Sequence, residues 1–220
     1  MRCSQLEGAD IWPEKFSTGT RASFIIDRTT AMQIQAELLE FMTPDAYHMS
    51  RPFYTIVNIY YDTQDSSLIR TSLSKPTYKE KLRLRGYGYS ACHRRHHEPS
   101  DRGGDRLLPV PVHKIAPRLY LAYDRMAFSG IWQADLRVTF DANIRTRRHD
   151  LRLELGDYGE PLLDEDQIVM EVKALRSIPL ELAQILSVHR IYSRSFSKYG
   201  NEYRKPVARD LATRREAIHA

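Results

Sequence analysis

Tyr78-Lys79-Glu80-Lys81-Leu82-Arg83-Leu84-Arg85 alternates cationic and other residues over eight positions. In a β-strand successive side chains point to opposite faces, so Lys79, Lys81, Arg83 and Arg85 share one side and Leu82 and Leu84 the other. Such alternation is commonly the solvated face of an antiparallel strand. Four cations spaced over about 20 Å nevertheless repel one another unless an anion lies along them. An extended phosphate chain would meet that need, and the planar guanidinium fork suits phosphate oxygens.

The rest of the chain supports a sheet with this character. Tyr54 to Tyr61 alternates, with Val57, Ile59 and Tyr61 opposite Asn58, Tyr60 and Asp62. Further strands are expected at Phe24 to Ile26, Tyr120 to Phe128, Leu136 to Asp141 and Ile168 to Lys173. In Leu136 to Asp141 the apolar side is Leu136, Val138 and Phe140, which leaves Arg137, Thr139 and Asp141 together. In Ile168 to Lys173 it is Ile168, Met170 and Val172, which leaves Val169, Glu171 and Lys173 together. A helix capped by Thr29 or Thr30 is expected to bury Ile34, Leu38, Phe41 and Met42 and to stop at Pro44. A second is expected from Ser177, as cap, to Val188, burying Leu182, Ile185 and Leu186. Strands with one apolar and one charged face fit a sandwich with a polar exterior or a barrel whose charges point inward, and periodicity does not choose between them. A barrel would set the cations in a low-dielectric channel where they attract phosphate more strongly.

Length and charge fit this reading. The 220 residues are enough for one sizeable core, and 33 Lys and Arg against 28 Asp and Glu leave a net charge of +5, which favours an acidic partner. The two cysteines, Cys3 and Cys92, offer no disulfide framework, so a reducing, cytoplasmic setting is expected. No apolar run reaches the length that spans a bilayer. Neither a Gly-Lys-Ser/Thr phosphate loop, nor paired Cys-x-x-Cys motifs, nor an aromatic-rich RNA-binding signature is present, so no specific nucleic-acid partner is expected. Oligomeric state has no signature in the chain.

Six motifs then occur in order: Asn58-Ile59-Tyr60-Tyr61-Asp62-Thr63, Tyr78 through Arg85, Tyr123-Asp124-Arg125-Met126-Ala127-Phe128, Leu136-Arg137-Val138-Thr139-Phe140-Asp141, Met170-Glu171-Val172-Lys173 and Ser195-Phe196-Ser197-Lys198-Tyr199-Gly200. Together they resemble the VTC domain, the polyphosphate polymerase domain of the vacuolar transporter chaperone complex and its stand-alone bacterial relatives, over about 54 to 89 and 118 to 204. The resemblance implies an α+β fold, an antiparallel β barrel of triphosphate-tunnel type with helices packed outside, and this chain's departures from the family leave room for an incomplete barrel. It implies transfer of the terminal phosphate of ATP to inorganic polyphosphate, with a divalent metal, manganese or magnesium. Arg83, Arg85, Arg125, Arg137, Glu171 and Lys198 match its catalytic positions, with Glu171 on the metal. Lys79, Lys81, Lys173 and Ser197 are expected to bind phosphate beside them. A triphosphate hydrolase of the same superfamily and a non-catalytic polyphosphate-binding module are the alternatives.

Two departures from the family bear on activity. Its first strand opens Glu-Arg-Lys, where this chain has Arg21-Ala22-Ser23 before Phe24. Its two further basic strands have no counterpart in Tyr89 to Ala116, which holds Cys92-His93-Arg94-Arg95-His96-His97 followed by Pro99, Gly103 and Gly104. The Cys and His residues lack the spacing of a closed zinc site, and a basic loop is expected there. Residues 1–15 are expected as a loose arm, 16–205 as the domain and 206–220 as a basic tail. With lumen cations missing, polyphosphate should still bind, while chain growth should be slow.

Overall fold

A computed structural model describes residues 19–45, 53–74, 81–88 and 114–205. The expected arm (1–15), the basic tail (206–220), Lys79, and the Cys/His-rich part of the expected loop lie outside them.

Eight strands form one antiparallel sheet: β1 (Thr20–Asp27), β2 (Met42–Pro44), β3 (Tyr54–Asp62), β4 (Leu82–Tyr87), β5 (Ala116–Gly130), β6 (Arg137–Arg147), β7 (Glu160–Pro161) and β8 (Gln167–Ala174). The order is β1-β8-β6-β5-β3-β4, with β2 added to β5 and β7 to β6. Among the described residues the sheet is open, with β1 and β4 at its two ends, as the incomplete form of the expected barrel would be. Ala116, assigned above to the loop, is the first residue of β5.

The alternation read from the sequence gives the sheet two faces. On one, Phe24, Ile26, Phe128, Val138, Phe140, Met170 and Val172 form a core with helices α1 (Arg28–Leu38) and α3 (Leu180–Val188), which contribute Ala31, Ile34, Leu38, Leu182 and Ile185. Both helices begin differently from the expectation. Asp27, the last residue of β1, caps α1: its carboxylate accepts from the Thr30 backbone N–H at 2.8 Å and from the Thr30 hydroxyl at 2.7 Å. A strand that ends on a capping carboxylate turns into the helix without a loop, so Thr30 is a donor to the cap and not the cap itself. The helix stops at Leu38, and Met42, expected on its buried stripe, is buried from β2 instead. In α3 the entry is Pro179, without a side-chain cap, and Ser177 lies outside the helix. The ring of Pro179 fixes its φ at −58° and so sets where the chain enters the helix, while Pro179 offers no side-chain acceptor to the first amides.

Two further helices press on the other face. The short α2 (Ser67–Leu73) was not foreseen, and α4 covers 198–205. The end of the Asn58 to Thr63 motif holds them both. The Asp62 carboxylate accepts from the backbone N–H groups of Thr63 (2.8 Å), Leu68 (2.9 Å) and Ile69 (3.0 Å), and from the Tyr199 hydroxyl at 3.1 Å. The Leu68 and Ile69 donors are among the unpaired amides that every helix start presents. Gly200 lets α4 approach α2, since a Cβ there would stand 2.9 Å from the Leu73 side chain. Ile56, Tyr60, Ile69, Leu119, Leu121 and Tyr199 fill the contact with apolar side chains.

Candidate functional site

The strand register sets the charged side chains on the face opposite α1 and α3. Asn58 pairs with Arg85 and Tyr60 with Arg83 across β3 and β4, and Tyr54 pairs with Arg125 across β3 and β5. Arg125 stands opposite Asp141, Ala127 opposite Thr139, and Ser129 opposite Arg137. Arg137 is in turn opposite Lys173, Thr139 opposite Glu171, and Arg21 opposite Lys173. Arg83, Arg85, Arg125, Arg137, Thr139, Asp141, Glu171 and Lys173 therefore share one face, as alternation within β4, β6 and β8 foretold for all but Arg125, and Arg21 joins them from the edge.

A bulge makes this possible in β6. Between Ala122 and Asp124 of β5 the partner moves from Arg145 to Ala142, one residue more than β5 advances, and Asn143 takes a positive φ of 49°. The extra residue reverses the parity of β6. Ile144 and Asp141 then face the same side, while Ala142 joins the opposite core.

Asp141 organises the centre of the site. Fully buried, it receives Arg125 Nε at 2.6 Å and a terminal guanidinium nitrogen at 2.8 Å, and Lys198 Nζ at 2.5 Å. Burial alone would push its carboxyl up, but the Lys198 and Arg125 charges outweigh this and hold it well below the usual carboxylate range. Burial likewise disfavours the Arg125 cation, and the Asp141 carboxylate overcomes it, leaving Arg125 firmly charged. The Tyr123 ring lies against both cations, with its centroid 5.1 Å from the Arg125 guanidinium and 4.6 Å from the Lys198 ammonium. Arg125 and Lys198, expected as open phosphate ligands, are thus anchored on a carboxylate that was read only as part of a charged strand face.

The other cations differ in how they are held. Arg85 is half-buried and donates to the Asn58 side-chain carbonyl at 2.9 Å and to the Tyr123 hydroxyl at 3.3 Å. These partners are neutral, so they orient its charge without cancelling it. Arg83 projects from the same edge strand and is exposed. Arg137 pairs with Asp45 at 2.7 Å. Lys81 reaches the Ser197 hydroxyl at 3.2 Å, which ties the start of β4 to the turn before α4.

Glu171 has two cationic neighbours, Lys173 at 3.1 Å and Arg21 at 2.7 Å. Burial raises its carboxyl, and the charges of Lys173 and Arg21 turn the net shift downward. Lys173 is drawn down by burial, against the pull of Glu171. No group of three or more His, Cys, Asp or Glu side chains is placed to hold a metal among the described residues. A cation here would therefore draw on Glu171 and on ligand oxygens. Such a shared site requires Glu171 to turn an oxygen from Arg21 or Lys173 to the ion. The Thr139 hydroxyl, buried without a partner and directly opposite Glu171, adds a hard oxygen of the kind magnesium and manganese take.

Arg21, Asp141, Tyr123 and Asn58 are the site residues that the sequence reading gave no role. Asp141 could have been found from its parity with Arg137 and its place in the Leu136 to Asp141 motif. Arg21 was visible only as a departure from the family's opening strand.

The family model described as VTC domain matches residues 20–98 and 108–206 of this chain. The gap between the two stretches falls inside the segment that the motifs leave unmatched. No curated protein matches the chain.

Proposed function

The chain belongs to the VTC-domain family, whose model covers well over half of it, and on that premise we propose that it transfers the terminal phosphate of ATP to inorganic polyphosphate. The family is one of polyphosphate polymerases of the tunnel superfamily. The observation that carries the finer reading is the charge balance of the face: Asp141 is met by Arg125 and Lys198, and Glu171 by Arg21 and Lys173, so each carboxylate is outnumbered. Arg85 adds a charge held by neutral groups. A polyanion laid across the strands would balance the excess.

Transfer joins a terminal oxygen of the polyphosphate to the γ-phosphorus of ATP as the bond to the bridging oxygen of ADP breaks. The protein's share is to align the two ends and to stabilise charge on the phosphoryl oxygens. Arg85 and Arg83 would bind phosphates along β4. Arg125 and Lys198, fixed in direction by Asp141, would bind the phosphoryl group at the centre, with Ser197 and Lys81 beside it and Arg137, Lys173 and Glu171 beyond. Preorganised cations of this kind need little rearrangement as charge develops. Glu171, with phosphate oxygens, would hold a manganese or magnesium ion, which when bound neutralises phosphate charge.

A second reading is favoured by one observation. Both oxygens of Glu171 are engaged by cations, which suits a module that holds polyphosphate without turning it over. Incubation with ATP and Mn²⁺, followed by separation of long polyphosphate from orthophosphate, distinguishes the readings. Slow chain growth is expected. Orthophosphate alone would make the protein a hydrolase, and binding without any product would make it a polyphosphate-holding module. The described residues contain no helix long and apolar enough to cross a membrane, and the cytoplasm, where ATP is abundant, is the proposed setting.

A further inference from the structure

We infer that Arg21, on the edge strand β1, is a phosphate-binding residue of this face; the inference deepens the polyphosphate reading above and rests on it. Its strand position is the first ground. Arg21 stands in register with Lys173, and Ser23 with Glu171. Phe24 and Ile26 enter the opposite core, so the alternation turns Arg21, Ser23 and Ile25 toward the charged side.

Its accessibility is the second. The Arg21 side chain is 65% exposed, whereas that of Glu171 is 10% exposed. One end of the ion pair is fixed in the sheet and the other reaches out from its rim. An ion pair with one partner this exposed contributes little to stability, so a structural role alone gives a weak account of an arginine here. Glu171 already has Lys173 at 3.1 Å, and its charge is balanced without Arg21.

The third ground is the layout of the wall. Along the path from β4 to β1 the strands present Arg83 and Arg85, then Arg125, Arg137, Lys173 and lastly Arg21, and of these six described strands β3 alone presents no cation. Arg21 extends this line to the far edge of the described sheet. An anionic chain crossing the strands would pass from Lys173 to Arg21, whose fork can release Glu171 and take phosphate oxygens at little cost because its end is already solvated.

The experiment compares polyphosphate binding by the unaltered protein, Arg21→Ala, Arg85→Ala, and Arg21→Ala combined with Ser23→Lys, at several salt concentrations. Arg21→Ala is expected to weaken affinity about five- to tenfold, as loss of one charge-assisted contact would, and to lower the log affinity against log salt slope by about one. Thermal unfolding should hardly move. Ser23→Lys restores a cation to the same face two residues along, opposite Glu171, and should recover most of the affinity and the salt slope. Because this lysine could also pair with Glu171, the unmoved thermal unfolding of Arg21→Ala is what separates phosphate binding from a structural ion pair. Unchanged affinity and slope in Arg21→Ala, with Arg85→Ala clearly weakened, would overturn the inference while leaving the polyphosphate reading intact. Absence of binding by the unaltered protein would overturn both.

Discussion

Lys198 and Asp141, 57 residues apart in the chain, meet at 2.5 Å beneath the charged face, where the Asp141 carboxylate is fully buried and also holds Arg125. One anion thereby joins α4, β5 and β6 and aims two cations. The arrangement keeps a net positive charge after its internal pairing, which is what a site for phosphate requires.

Removing that anion should be costly. Asp141→Asn would leave the Arg125 guanidinium buried without a counter-charge, and loss of one partner of a buried pair typically costs about 3–5 kcal/mol. Urea unfolding at neutral pH should show a loss of that order, with polyphosphate turnover falling further than binding because Arg125 and Lys198 lose their common anchor. A variant as stable as the parent would mean that Asp141 anchors neither cation.

The same carboxylate sets an acid dependence. Its pKa in the folded protein lies below the unfolded value of about 3.9. Its stabilising contribution is therefore fully present above the unfolded value and is lost as pH falls through the folded one. Stability of the unaltered protein should drop progressively below about pH 4, and the corresponding drop in Asp141→Asn should be smaller. Parallel acid limbs in the two proteins would contradict this.

On the edge strand, Arg83→Ala with Arg85→Ala should weaken polyphosphate binding and reduce its salt slope by about two. Arg85 is the more informative residue because neutral partners hold it in place. A double variant with unaltered affinity and slope would remove β4 from the binding surface.

Glu171→Gln separates binding from metal-dependent chemistry. Neutralising the carboxylate frees Lys173 and Arg21 from a competing anion, so polyphosphate should bind as well as before or more tightly. Mn²⁺-dependent chain growth should fall. Identical Mn²⁺ titrations in the two proteins would reduce Glu171 to a structural partner of Lys173 and Arg21.

Tyr199→Phe deletes the hydroxyl that joins α4 to Asp62 at 3.1 Å. Burial, with the Asp62 charge acting in the same direction, pushes this phenol well above its ordinary pKa, so it remains a donor at every usable pH. Its loss should cost about 1 kcal/mol, a fall in Tm of about 2–4 °C. An unchanged Tm would show that the bond to Asp62 does not hold α4.

Much of this was legible where structure is local. Period-2 alternation in β3, β4, β6 and β8 identified the strands and put Arg83 and Arg85, Arg137, and Glu171 and Lys173 each on the face away from its strand's apolar side, because that side repeats over several residues. Arg125 shares parity with Leu121 and Tyr123, and in the structure it shares their face too, so cations and an apolar cluster lie side by side on it; the bulge at Asn143 belongs to β6 and does not turn Arg125. What escaped depends on distant contacts. The α2 helix has only seven residues and is capped by Asp62 and Thr63 from the preceding strand, so its own sequence carries little signal. Asp141 draws its role from partners 16 and 57 residues away. Arg21 acquires its place only when β1 pairs with β8.

The most direct test follows the γ-phosphate of labelled ATP in the presence of Mn²⁺ and a polyphosphate acceptor of defined length, resolved on a gel. Label should appear in chains longer than the acceptor, more slowly than with an intact relative assayed alongside, and should disappear in Arg83→Ala with Arg85→Ala. Label recovered solely as orthophosphate, or chain growth undiminished in that double variant, would contradict the assignment of phosphate transfer to this face.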